Sequence, residues 1–222
     1  MAGGAAVIKV GLERGGEAGA PWSEFGHGTP DPLPWPLMPV STLRAIVDEA
    51  HSLGRLVTAH VGEPGGVELS LDGGVDEWAH VPCDPVPPAL LQRAVNQGVK
   101  IVTTLDTLSR CTGIFPNARA LAGFGAKFRY GAEIAHTDIP WGIDAQELHL
   151  MVHLAGLTPI EALRAATSEA GKELGLGTLG TLTPGAPADL IAVPGDPSSH
   201  FKPLEYPRLV ISGGRIVVND FR

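Results

Sequence analysis

Four residues that can bind a metal ion or move a proton stand at the ends of short apolar runs. These residues are Lys9, His60, His80 and Asp138. Imidazole nitrogens and carboxylate oxygens are common ligands of Zn²⁺, and a buried lysine is unfavourable as an ammonium ion unless it is paired or chemically altered. Each residue alone has an ordinary explanation, such as a hydrogen-bonded histidine or an aspartate cap. Four of them at equivalent positions favour one shared metal site.

The runs alternate with amphipathic segments, which is typical of parallel strands joined by helices. The predicted strands of this part are 6–10, 56–60, 75–80, 99–105 and 130–138. The predicted helices are 41–53, a segment around 67–71, 88–97, 145–154, 158–167 and 168–174. We expect Ser41, Thr158 and Ser168 as N-caps and Gly98 as a C-cap. In a (β/α) barrel the chemistry lies at the C-terminal ends of the strands, where the four residues would meet.

The end of the chain has a different pattern. Strands are predicted at 189–193 and within 208–218, where residues 212–214 form a hairpin turn. These strands predict a separate small β element.

The composition narrows the classes of function. The 222 residues include 24 acidic and 16 basic side chains, and the net charge of −8 comes without a basic stripe, which argues against a nucleic-acid partner. No apolar run approaches the roughly 18–20 residues of a membrane span, and the N-terminus lacks the pattern of an export signal. Cys83 and Cys111 match no zinc-binding spacing. A disulfide between them stays open, but two reduced thiols in a cytoplasmic protein are preferred.

Several segments match family motifs in their order along the chain. They are 5–10 (AAVIKV), 57–60 (VTAH), 74–80 (GVDEWAH), 135–138 (AHTD), 157–163 (LTPIEAL), 165–167 (AAT) and 179–190 (LGTLTPGAPADL). In these motifs the chain resembles the amidohydrolase superfamily, and within it the imidazolonepropionase-like and prolidase-like branch. The resemblance covers nearly the whole chain, from about residue 2 to residue 218.

The resemblance implies an α/β fold, namely an incomplete TIM (β/α)8 barrel of the metal-dependent hydrolase type with a small C-terminal β element. Strands four to eight of the barrel would occupy residues 1–178 as the catalytic part, and strands of a small β-sandwich would occupy 179–222. The implied activity is the hydrolysis of a non-peptide C–N bond by metal-activated water. The substrate would be a small molecule with an amide, cyclic amide or dipeptide-like bond.

The resemblance also implies roles for single residues. Lys9 would be carboxylated and bridge two metal ions, and His60 and His80 would ligate one of them. Asp138 would touch the metal and act as the catalytic base towards the attacking water. The implied cofactor is one or two divalent ions, with zinc as the expected metal. A metal lowers the pKa of its water, and a neighbouring carboxylate can then take the proton.

Departures from the family pattern keep a second hypothesis open. The His-x-His pair of the first barrel strand has no counterpart, so we expect either a homo-oligomer or a missing N-terminal part of a longer enzyme. His136 could add a ligand, or it could simply hydrogen-bond Asp138 or a substrate. His149 and His153 are expected to face solvent or to pack. The alternative function is a catalytically inactive, oligomeric barrel remnant with weak or no metal binding.

Overall fold

The parallel sheet of the chain follows the order of the sequence. The structure, a computed structural model, describes residues 5–12, 36–134, 139 and 141–221. The strands of the sheet are β1 (Val7–Gly11), β2 (Leu56–His60), β3 (Glu77–Trp78), β4 (Lys100–Val102) and β5 (Lys127–Arg129). Each consecutive pair is parallel, so a crossover segment joins every strand to the next.

Helices occupy crossovers of this sheet and also follow its last strand. They are α1 (Val40–Ser52), α2 (Pro64–Gly73), α3 (Pro88–Gln97), α4 (Ile114–Phe124), α5 (Ala145–His153), α6 (Pro159–Ala165) and α7 (Ser168–Glu173). Ala59, Trp78 and Ile101 of the sheet are buried in one core with Leu43 and Leu91 of the helices. The protein is therefore an α/β chain that forms an incomplete barrel. In the part of the chain that the structure describes, none of the helices has the length and apolar character needed to cross a membrane.

The other face of the sheet carries polar and charged side chains. Thr58, Glu77 and Lys100 stand next to one another in the register of β2, β3 and β4. Arg129 donates to Glu77 at 2.6 Å and lies 2.8 Å from Glu173 of α7, which also pairs with Lys100. Side chains alternate along a strand, and the sheet therefore has an apolar face towards the helices and a charged inner face.

A second, antiparallel sheet lies near the C-terminus. Its strands are β6 (Leu190–Ala192), β7 (Leu209–Ser212) and β8 (Arg215–Asn219). The turn residues Gly213 and Gly214 have φ values of +54° and +76°, which two-residue hairpin turns of this type require. A short 3₁₀ helix, Lys202–Glu205, places Leu204 in the main core. The predicted hairpin is confirmed, and the division of the chain at residue 178 stays a prediction.

Some predicted elements are misplaced. The strand predicted at 130–138 is wrong over its described residues, since β5 ends at Arg129 and residues 130–134 lie outside regular structure. The strand predicted at 75–80 is only Glu77–Trp78. The helix α4 lies in a stretch for which the sequence pattern predicted no element. The ends of such short strands are difficult to predict from the sequence, because they depend on pairing with neighbouring strands.

The predicted caps are correct in part. Thr158 caps α6, and its side chain and that of Glu161 form a reciprocal capping box. Gly98 ends α3 in the left-handed conformation, as predicted. Ser41 is not a cap, because α1 already begins at Val40. Ser168 is not a cap either, because it is the first residue of α7. Pro39 and Thr167 occupy the N-cap positions of these two helices instead.

The structure corrects the preference for reduced thiols. Cys83 and Cys111 form a disulfide, with Cα atoms 5.0 Å apart. Cys83 follows β3, and Cys111 lies just before α4, 28 residues further along the chain. The parallel order of β3 and β4 brings these two loops to the same edge of the sheet, which the spacing alone does not reveal.

Candidate metal centre

Two histidines meet at the carboxyl edge of the parallel sheet. His60 is the last residue of β2, and His80 follows the end of β3 by two residues. Their ring centroids are 4.7 Å apart, and the ring planes are inclined by 82°. Because neighbouring parallel strands end at the same edge, the sheet brings these two predicted site residues together.

The His80 ring is held by groups from the two following strands. The ring is 3% exposed. Its Nδ1 atom lies 2.8 Å from Oγ1 of Thr104, which comes after β4. The same Nδ1 atom lies 3.9 Å from Oε2 of Glu133, which comes after β5. The environment of His80 is therefore built from the carboxyl ends of three successive strands.

Both histidines are neutral at neutral pH. Burial and the nearby positive charge of Lys9 lower the pKa of His60 to about 4. Burial, the charge of His60 and the charge of Lys9 lower the pKa of His80 well below its usual value of 6.5. A neutral imidazole offers a lone pair to a metal ion, so both side chains are in the form that can act as a ligand.

Lys9 lies close to this pair, but it is not buried. It pairs in register with Thr58, two residues before His60 on β2, and its charge reaches both histidines. The residue is exposed, so the argument that burial forces a chemical change on this lysine does not apply. Its carboxylation and its bridging role stay predictions.

Within the described part of the chain, Glu133 brings a carboxylate to within 4 Å of His80, and the sequence analysis missed this residue. Asp138 and His136 lie outside the described residues, and their roles stay predictions. Glu133 was overlooked because it falls in the middle of the strand predicted at 130–138. Since β5 ends at Arg129, Glu133 comes shortly after a strand, and a correct strand boundary would have identified it as a candidate.

Thr104 and Glu133 share an unusual backbone conformation. Their φ angles are +48° and +49°, and they are the two non-glycine residues with positive φ in the described ranges. A β-branched residue rarely adopts this conformation, whose free-energy cost is of order 1–3 kcal/mol. Such strain persists where the surrounding structure enforces it, and it is concentrated at functional sites.

A buried group of carboxyl side chains supports the loop after β4. Glu147 of α5 is fully buried, and its Oε2 atom accepts the N–H of Asp106 at 2.8 Å. Burial raises the pKa of Glu147 to about 7. Burial and the charge of Asp144 raise the pKa of Asp106 to about 6, and burial also raises the pKa of Asp144. No local sequence pattern reveals this group, because only the fold brings Asp106 close to Asp144 and Glu147.

The backbone just beyond His80 is fixed by α4. The buried Asn117 side chain donates to the carbonyls of Pro82 and Asp84 at 3.0 and 2.8 Å. Its Oδ1 atom accepts the N–H of Val86 at 3.1 Å. Together with the disulfide in the same segment, these bonds restrict the position of the chain that follows the histidine.

The side chains at this edge are of the chemical types that bind a divalent cation. Two neutral imidazoles with a carboxylate nearby are ligand types that Zn²⁺ prefers. The described residues do not complete such a site, since among them there is no group of three or more His, Cys, Asp or Glu side chains placed to hold a metal ion. A complete set of ligands would need further groups, for which Asp138 is the predicted candidate.

His149 and His153 lie on helix α5 and not at the carboxyl end of a strand. Both are exposed on α5, with ring centroids 4.1 Å apart. The prediction that they face solvent is confirmed.

The open parallel sheet, with histidines at its carboxyl edge, has the architecture of an incomplete (β/α) barrel. The profile of the amidohydrolase family matches residues 89–217, more than half of the chain, and the chain therefore belongs to this family. An ochratoxinase of Aspergillus niger is 29% identical over 195 residues, which cover 78% of this chain and 40% of the relative. An imidazolonepropionase of Nocardia farcinica is 33% identical over 141 residues, which cover 61% of this chain and 33% of the relative.

Solved structures share the fold. A Xaa-Pro dipeptidase with methionine bound in its active site has a TM-score of 0.77 at 22% identity, with 97% of this chain and 55% of that chain covered. The ochratoxinase of Aspergillus niger has a TM-score of 0.72 at 22% identity, with 97% and 51% covered. This likeness establishes the fold alone. The chain spans between 33% and 55% of the length of these relatives.

Proposed function

We propose that this chain carries one side of the active site of a metal-dependent amidohydrolase. The reaction would be the hydrolysis of a non-peptide C–N bond in a small molecule, with an amide, cyclic amide or dipeptide-like substrate. The observation that carries the proposal is the meeting of His60 and His80, both neutral, with ring centroids 4.7 Å apart at the carboxyl edge of the sheet. Membership of the amidohydrolase family supports the class of reaction.

Each site residue has a role in this proposal. His60 and His80 would hold one ion, and a carboxylated Lys9 would bridge to a second if two zinc ions are bound. When bound, a divalent cation at this position would lower the pKa of a water molecule and polarise a carbonyl group. Asp138 would accept the proton of the attacking water and pass it to the leaving nitrogen. His136 would orient Asp138 or add a ligand.

The second candidate is an inactive barrel remnant that self-associates. In the described sheet β1 and β5 are edge strands, and edge strands offer unpaired backbone groups to another chain. This candidate predicts an oligomer with weak or no metal binding, whereas the hydrolase requires a bound metal. Light scattering during size-exclusion chromatography measures the oligomer, and metal analysis decides between the two functions.

Metal content is measured on the purified chain after growth with added zinc. The exposed pair His149 and His153 can bind zinc by itself, because histidines four residues apart on a helix face the same side. The parent protein for the experiment therefore carries alanine at both positions. His60→Ala and His80→Ala are compared with this parent, and the exposed His200→Ala serves as the matched control.

The hydrolase proposal expects close to one equivalent of zinc or more in the parent and in the His200→Ala control. Both His60→Ala and His80→Ala should lose most of this metal, because each removes a ligand. Less than about one tenth of an equivalent in the parent would favour the inactive remnant. Lys9→Ala, His136→Ala and Asp138→Ala then show which of the untested residues contribute to binding.

The predicted cytoplasmic location stays a prediction, and one observation argues against it. The disulfide between Cys83 and Cys111 is of a kind that persists mainly in oxidising compartments. Alkylation of the protein in its native cells, followed by denaturation and mass analysis, shows whether the thiols are free. Alkylated cysteines would favour the cytoplasm, and an intact disulfide would contradict it.

A further inference from the structure

Two strained residues converge on one nitrogen atom of His80. Thr104 and Glu133, the positive-φ pair of the described chain, follow the ends of β4 and β5. Oγ1 of Thr104 lies 2.8 Å from Nδ1 of His80, and Oε2 of Glu133 lies 3.9 Å from the same atom. The threonine backbone is thus held in a conformation that its side chain disfavours, and this conformation directs the hydroxyl group to the histidine.

The surrounding structure enforces the conformation of Thr104. Its N–H donates to the carbonyl of Gly131 at 3.0 Å, and its carbonyl accepts the N–H of Leu108 at 3.2 Å. In the same loop, the hydroxyl of Thr107 donates to the carbonyl of Ala132 at 2.8 Å. The loops after β4 and β5 therefore support each other, and strain of this kind persists where neighbours fix the backbone.

The surroundings of Nδ1 favour a proton on that atom. A threonine hydroxyl can accept or donate, and the 2.8 Å distance to Thr104 fits both directions. The carboxylate of Glu133 attracts a hydrogen on Nδ1, whereas it repels an Nδ1 lone pair. The charge on Glu133 therefore selects the direction in which Nδ1–H donates to the threonine.

We propose that Thr104 is a positioning residue whose hydroxyl accepts the hydrogen bond from Nδ1–H of His80 and so fixes the tautomer with the lone pair on Nε2. The consequence for metal binding rests on the proposed function, in which His80 is a ligand. With the hydrogen on Nδ1, Nε2 can bind a cation; with the hydrogen on Nε2, it cannot. Partners of this type commonly set the orientation and tautomer of metal-binding histidines.

Nitrogen NMR of the metal-free chain reads the tautomer without any need for activity. Histidine is labelled with ¹⁵N, and the His80 signals are assigned by their loss in His80→Gln. We expect the Nδ1–H tautomer in the wild-type chain and in Thr104→Ser, which keeps the hydroxyl. We expect a shift towards the Nε2–H tautomer in Thr104→Val, which keeps the branched shape but removes the hydroxyl.

The matched control is Thr167→Val, which removes a hydroxyl that donates to the carbonyl of Leu163 at 2.7 Å, away from His80 and its two loops. This control should keep the wild-type tautomer, and a shift as large as that of Thr104→Val would overturn the proposal. An Nε2–H tautomer in the wild-type chain overturns it as well, whether or not any variant folds. So does an Nδ1–H tautomer that a folded Thr104→Val protein retains.

Metal affinity tests the consequence separately. In the background with alanine at positions 149 and 153, Thr104→Val should weaken Co²⁺ binding roughly 10–100-fold, and Thr104→Ser should restore it. If the parent protein binds no Co²⁺, the proposed metal function fails. The tautomer measurement then still decides the role of Thr104 by itself.

Discussion

Glu147 makes the stability of this fold depend on pH in an unusual direction. Its carboxyl group is fully buried, and burial raises its pKa from the ordinary value of 4.5 to about 7. The hydrogen bond from the N–H of Asp106 favours the ionised form, but it offsets only part of the cost of burial. The substitution Glu147→Gln keeps the shape and the acceptor oxygen and removes the charge.

The expected magnitude follows from the two pKa values. Below pH 4.5 the carboxyl is protonated in both the folded and the unfolded chain, so it adds no pH dependence. Between 4.5 and about 7 the unfolded chain loses the proton first, and the free energy of unfolding falls as the pH rises. Above about pH 7 the full cost is present, and it amounts to about 3 kcal/mol at 1.36 kcal/mol per pKa unit.

Urea unfolding measures this effect through the fluorescence of tryptophan, since Trp78 is fully buried. The titrations are made with a chelator present, so that bound metal does not contribute. The unfolding free energy of Glu147→Gln minus that of the wild type should be about 3 kcal/mol larger near pH 8 than near pH 4. The exposed Glu49→Gln is the control, and its curve should run parallel to that of the wild type.

Two results would refute the reasoning. Parallel curves for wild type and Glu147→Gln from acid to alkaline pH would show that this carboxyl does not titrate late in the folded state. A stability difference that grows towards acid pH would have the opposite sign and would mean that the fold favours the ionised group.

Two further predictions concern the segment after His80. Replacing Cys83 and Cys111 by serine should lower the unfolding free energy by about 3–4 kcal/mol, because the bond closes a loop of 28 residues; a melting temperature equal to that of the oxidised wild type would contradict this. Asn117→Ala leaves three backbone groups without their side-chain partner and should cost about 2–3 kcal/mol in urea unfolding, whereas the exposed Asn96→Ala should change stability by less than about 0.5 kcal/mol.

The sequence predicts elements best where local signals are strong. The helix Pro88–Gln97 and its glycine end, the strand Leu56–His60 and the N-cap at Thr158 are all as predicted. The strand after α4 was misplaced, because the three residues of Lys127–Arg129 carry no alternating pattern and are defined by pairing with β4. Because of this error, Glu133 was not selected as a site candidate.

Some residues of the candidate site could be selected from the sequence, and others could not. The residue types and their places at strand ends were sufficient to select His60 and His80, because the rule that parallel strands share a carboxyl edge needs no coordinates. Thr104 carries no such signal, since its role depends on a strained φ angle and on a partner 24 residues away. The exposure of Lys9 could not be read from its strand either, because it depends on what covers an edge strand.

The sequence by itself determined most of the strands and helices, the family, and the choice of His60 and His80 as site candidates, since these follow from local patterns along the chain. Only the tertiary structure decided the Cys83–Cys111 disulfide, the buried carboxyl group of Glu147 and the hydroxyl that faces His80. Each of these depends on distances between residues far apart in the chain, and the packing of the sheet and helices sets those distances.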